Sequence, residues 1–144
     1  MLGANKSETL DVYVKQVRSV LELAVPVWHP GLTKQEVRKL ERVQKSAFHI
    51  ILGEQYISYE QAMNILGCDS LNNRRLKLCK SFAKKAKKHS KYKNWFCDLE
   101  QKPSKMSTRE SKSKIIPKVT PVPTRTDRYK KSQLPFLTDL LNVR

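Results

Sequence analysis

Between Asp69 and Asp98 the chain contains no acidic residue, and the interval is laid out with helical spacing as LNNRRLKLCKSFAKKAKKHS from Leu71 to Ser90. Leu71, Leu78, Cys79, Phe82, Ala83 and Ala86 share one face of such a helix, which Asp69 or Ser70 caps. Lys77, Lys80, Lys84, Lys87, Lys88 and Lys91 make a lysine stripe on the outside. The 3.6-residue period excludes a strand here, and the small apolar face obliges the helix to pack on neighbours. At ~1.5 Å per residue the stripe extends roughly 30 Å, comparable to the ~34 Å of one duplex turn. Solvated helix faces mix signs so that charges pair at i, i+4. This one does not, which favours contact with backbone phosphates over a bland surface. A membrane-surface helix fits less well, because the apolar face carries Ala and Cys rather than Trp and Leu.

Upstream, three more helices are predicted. The first runs from about Glu8, capped by Ser7, to about Ala24, with Leu10, Tyr13, Val14, Val17, Val20, Leu21 and Ala24 on its inner face. Pro26 ends it, Pro30 prevents a quick restart, and Trp28 plugs the corner. Thr33 and Glu36 form a capping box that opens the second helix, which stops at Gly53. Its inner face is Val37, Leu40, Val43, Ala47, Phe48 and Ile51; Lys34, Arg38, Arg42 and Lys45 recur on the other side at i, i+4, i+8 and i+11. Ser58 to Gln61 is a second capping box, for a short helix through Leu66 that Gly67 terminates. The fold class is therefore all-α: a small basic bundle of about four helices over residues 1–97. Residues 98–132, rich in Lys, Ser, Thr and Pro, read as a disordered linker. Residues 133–144 read as a short apolar helix, with Pro135 in its first turn and Phe136, Leu137, Leu140 and Leu141 as a patch docked on the body or on a partner.

The charge is lopsided throughout: 29 Lys and Arg face 13 Asp and Glu, a net +16. A chain so basic meets a polyanion, most often nucleic acid. No apolar run approaches the ~18 residues of a spanning helix, and MLGANKSETLD lacks a signal-peptide core. An intracellular chain, nuclear or cytoplasmic and not secreted, is expected. Cys68, Cys79 and Cys97 lie ten or more residues apart, and with His29, His49 and His89 they make no tight ligand pairs. No metal and no cofactor is assigned. In KYKNWF, Tyr92, Trp95 and Phe96 are able to stack on unpaired bases, although Trp95 and Phe96 fit a hydrophobic plug better.

Catalytic signatures are missing as well. There is no Asp-Asp pair, no carboxylate cluster and no phosphate-cradling Gly-rich loop in a chain with four Gly. His29, between Trp and Pro, reads as a turn residue, so the chain by itself is not expected to be an enzyme.

VKQVRSVLELAVPVWHPGLTKQEVRKLERVQKSAFHIILG resembles the segment that follows the polymerase core in reverse transcriptases of non-LTR retrotransposons, the jockey-like and other LINE-type elements. Val17, Arg18, Leu21, Glu22, Val27, Trp28, Pro30, Leu40, Glu41, Val43, Gln44 and Phe48 carry the likeness, and SLNNRRLKLCKSFAKKAKKH and RTDRYKKSQLPFLTDLLN also look like the tail of such reading frames. The resemblance implies a thumb-like helical fragment of an RNA-directed DNA polymerase. The catalytic aspartates and two magnesium ions of that family belong to a palm upstream of these residues. The implied partner is an RNA–DNA hybrid or duplex, gripped mainly by its backbone, together with a palm domain. On this reading the nucleic-acid-binding residues are Arg38, Arg42, Lys45, Arg74, Lys77, Lys80, Lys84, Lys87, Lys88 and Lys91. The alternative is a protein-interaction remnant that docks on a polymerase core without binding nucleic acid.

Overall fold

In the computed structural model the described residues are 5–96, 119 and 123–142, and among them there is no β-strand. The fold class is all-α, as expected. The chain divides into two compact units, Met1–Leu78 and Cys79–Arg144, so the boundary falls inside one long helix.

The first unit opens with α1 (Lys6–Val12), two residues earlier than a Ser7 cap implies, after an extended Asn5. The helix then passes through a π-helical stretch, Tyr13–Arg18, before α2 (Ser19–Leu21). A π turn inserts a residue and rotates every later side chain about the axis. Leu10, Tyr13 and Val14 keep their place in the core, but Val17 and Val20 leave the predicted inner face, and Val20 is 71% exposed.

The corner also differs from its prediction. Ala24 adopts φ 51°, ψ 29°, and the helix restarts at once as α3 (Val25–Trp28), with Pro26 in its first turn. Proline is tolerated there because those amides have no acceptor in any case. It opens a helix rather than ending one. Pro30 likewise sits inside a 3₁₀ turn, His29–Gly31. Trp28 does hold the corner: its indole N–H donates to the Leu23 carbonyl at 2.7 Å.

Helix α4 (Lys34–Leu52) has the predicted capping box. The Glu36 N–H donates to Thr33 Oγ1 at 3.3 Å, and the Thr33 N–H donates to Glu36 Oε2 at 2.7 Å. These bonds hold the Glu36 carboxyl below its ordinary pKa, the backbone bond from Thr33 being the main cause. A 3₁₀ turn follows the stop at Gly53, which has φ 54°. Ser58 caps α5 (Tyr59–Leu66) with half of the predicted box, its Oγ accepting from the Gln61 N–H at 3.2 Å, and Gly67 ends the helix in the left-handed conformation. Helix α6 (Leu71–Lys88) comes next, with Ser70 Oγ accepting from the Asn73 N–H at 3.2 Å.

The core of this unit is Tyr13, Phe48, Ile51, Leu52 and Ala62, with Ala47, Tyr56, Tyr59, Met63, Leu66 and Cys68 packed around it. Tyr13 meets Phe48 edge-on at 5.7 Å and Tyr59 stacks on Phe48 at 6.0 Å. Such aromatic pairs contribute ~0.5–1.5 kcal/mol each beyond area burial. Two polar residues that hydropathy does not pick out are also 1% exposed, Gln44 and Arg75. Arg75 falls on the buried row of α6 with Leu71 and Cys79, where the sequence pattern has only apolar residues.

In the second unit, Cys79, Ala83 and Ala86 continue the buried row of α6, while Phe82 is partly exposed. Phe96 is buried as the plug predicts, but Trp95 is 46% exposed and stands 4.8 Å from the Tyr92 ring. The expected linker 98–132 falls largely outside the described residues. Two described parts of it are structured: Val119 is fully buried, and α7 (Asp127–Lys130) is capped by Thr126. Helix α8 (Gln133–Asn142) follows, as predicted, with Pro135, Leu137 and Thr138 buried. Its last residue grips Val119 by both backbone groups. The Val119 N–H donates to Asn142 Oδ1 at 2.9 Å, and Asn142 Nδ2 donates to the Val119 carbonyl at 3.0 Å.

Candidate nucleic-acid interface

Three of the predicted cations are brought together. Arg38, Arg42 and Lys45 stand exposed on one flank of α4 and line a concave groove of about 590 Å³ with Val37, Glu41, Tyr59, Ser70 and Asn72. Glu41 organises the floor. Its Oε2 accepts from the Tyr59 hydroxyl at 2.7 Å and its Oε1 from the Asn72 N–H at 2.6 Å, with the Arg75 guanidinium 3.7 Å away. The last pairing explains Arg75: a charge this buried requires a counter-charge and hydrogen bonds, or the fold loses several kcal/mol. The Tyr59 hydroxyl is pushed above its ordinary pKa by burial first and by its bond to Glu41 second. Tyr59 therefore stays a neutral donor. Lys45 lies over the Tyr59 ring, its Nζ 5.0 Å from the centroid.

The remaining predicted cations are placed differently. Arg74 donates from Nε to Glu22 Oε1, and Arg18 pairs with the same carboxylate at 3.6 Å. The hydrogen bond to Glu22 raises the Arg74 pKa. This half-buried pair withdraws Arg74 from any outside ligand. Lys77 pairs with Asp69 and holds the Asp69 carboxyl below its ordinary pKa. Both partners are exposed, where water screens the pair, so a phosphate competes for Lys77 easily. Asp69 and Glu22 thus reach the stripe from elements that its own run of sequence does not include.

In the second unit, Lys84, Lys88 and Lys91 are exposed, while Lys80 and Lys87 are half-buried. Lys91 lies beyond the end of α6, with its Nζ 6.0 Å from the Tyr92 ring. Arg74 and Lys77, by contrast, are held in ion pairs with Glu22 and Asp69.

Glu41, Tyr59, Ser70 and Asn72 complete the groove and are absent from the sequence-derived set. Glu41 to Lys45 reads locally as an ordinary i, i+4 surface pair, and Ser70 as a cap. Only packing of α5 and the start of α6 beside α4 gives them a common wall.

His29 is half-buried, and burial, with a smaller effect from Arg75, lowers its pKa. It does not line this groove. Among the described residues no three His, Cys, Asp or Glu side chains gather as a metal site. Among the same residues no helix is long and apolar enough to cross a membrane. Comparison of the chain with protein-family models, with curated proteins and with solved structures finds no match.

Proposed function

We propose that this chain is a non-catalytic nucleic-acid-binding element that grips backbone phosphates, as the resemblance to the thumb-like region of a non-LTR retrotransposon polymerase implies. The observation that carries the reading is the convergence of Arg38, Arg42 and Lys45 on one groove. Two arginines and a lysine aimed at one concavity suit the oxygens of successive phosphates. Lys77, Lys84, Lys88 and Lys91 add a more diffuse attraction. Recognition of this kind reads charge and shape, with little base sequence.

The reading is tested by titrating the full chain with an RNA–DNA hybrid duplex at several salt concentrations. Affinity is expected to fall steeply with salt, and the R38Q/R42Q/K45Q chain to lower the logarithmic salt slope by about 2–3. Absent binding, or binding indifferent to salt, overturns it.

A second reading, docking on another protein without a nucleic-acid role, is favoured by one observation. Val20, Leu23 and Val27 are exposed, beside an apolar groove of Val20, Leu21, Trp28, Leu32 and Leu40 that Glu36 and Lys39 edge.

A further inference from the structure

Positive charge is confined to one bank of the α4 groove. Arg38 and Lys45 lie seven residues apart along the helix, about 10 Å, with Arg42 between them. The opposite bank is Ser70 and Asn72, which carry no charge, and Glu41 lies between the banks. A cleft that served phosphates alone would gain nothing from a carboxylate at its centre, where it repels them. Here the carboxylate is already satisfied by Tyr59, Asn72 and Arg75, so the floor is polar and close to neutral. The backbone N–H of Asn72 is spent on Glu41, but its side-chain amide makes no hydrogen bond among the described residues. The Ser70 oxygen accepts from the Asn73 N–H, which leaves its hydroxyl proton to donate.

A cationic bank, a neutral polar floor and a bank of amide and hydroxyl match the parts of one nucleotide. The phosphate belongs to the first, the sugar to the second and the base edge to the third. The groove volume of about 590 Å³ lies in the range of small-molecule sites. A duplex offers phosphates on a convex surface and keeps its base edges inside its grooves, so it satisfies the cationic bank alone. An unpaired nucleotide can turn its base outward and satisfy both. We propose that the groove seats a single unpaired nucleotide of a nucleic acid strand, with its phosphate on Arg38, Arg42 and Lys45 and its base edge on Asn72 and Ser70. A side-chain amide pairs with two adjacent base atoms, one donor and one acceptor. The proposal rests on the phosphate-binding reading and specifies which form of nucleic acid the site prefers.

The test uses the full chain, a short fluorescent single strand and the same sequence as a duplex, followed by anisotropy at one salt concentration. Asn72→Ala is expected to weaken single-strand binding about fivefold or more and to leave duplex binding unchanged. A companion measurement needs no variant: adenosine monophosphate should displace the single strand at a concentration at least about fivefold lower than ribose 5-phosphate. Equal loss on both nucleic acids, no loss on either, or equal competition by the sugar phosphate overturns the nucleotide seat while leaving backbone binding intact. Failure of the unaltered chain to bind either nucleic acid overturns both.

Discussion

The basic flank of α4 and the distal half of α6 carry similar charge in different company. Along α4, Arg38, Arg42 and Lys45 alternate with Glu41, whose carboxylate is tied to Tyr59, Asn72 and Arg75, and Lys45 rests on an aromatic ring. Along the distal half of α6, Lys84 and Lys88 project from a convex helix surface, and no described carboxylate forms an ion pair with them. The first arrangement lines a cavity, and one of its three cations, Lys45, already rests on an aromatic ring. The second must order long, rotamer-rich side chains at the moment of binding, at ~2 kcal/mol of rotamer entropy for each fully fixed lysine. Density of charge therefore does not locate a site. Only on α4 do the cations also line a concave groove, with Lys45 set over Tyr59.

The contrast breaks first at Glu41. Glu41→Ala leaves Arg75 buried without this carboxylate and is expected to lower the unfolding free energy by about 3 kcal/mol, read by urea denaturation. A loss under about 1 kcal/mol means that Glu41 does not organise the groove. On the other helix, K84Q/K88Q should change stability by no more than about 0.5 kcal/mol in the same measurement, because neither side chain is built into the interior.

A smaller effect sharpens the comparison through pH. His29, in the first unit, has its pKa lowered from 6.5 by burial and then by Arg75. The unfolded chain then binds the proton more readily than the folded one. The stability due to neutral His29 is thus present above about pH 6.5 and declines as pH falls from there through the depressed folded pKa. Thermal unfolding followed between pH 7.5 and 5.5, values chosen to bracket the ordinary histidine pKa of ~6.5, should show a slope that His29→Gln reduces; an unaltered slope removes His29 as its source.

Much of the fold was legible from local signals. The caps at Thr33 and Ser58, the stops at Gly53 and Gly67, and α6 follow from side-chain groups that reach their own helix ends. Such bonds are short in sequence, so pattern reveals them. The corner was less legible. A proline marks the end of one helix or the first turn of the next with equal ease, and the choice rested on Ala24 entering the left-handed region. Likewise the π turn after Tyr13 leaves no compositional trace, yet it decides that Val17 and Val20 face outward.

The sequence by itself determined an all-α chain, its main helix starts and stops, a strong positive charge and the outward flank of α4. Each depends on residues within a turn or two of one another. Tertiary structure alone decided which cations act together. It took Arg74 to Glu22, fifty-two positions away, and put Arg75 in the interior beside Glu41. It also closed Tyr59, Ser70 and Asn72 into a wall opposite Arg38, Arg42 and Lys45. Coulomb attraction and desolvation depend on distance in space, and a linear pattern does not contain that distance until the helices pack.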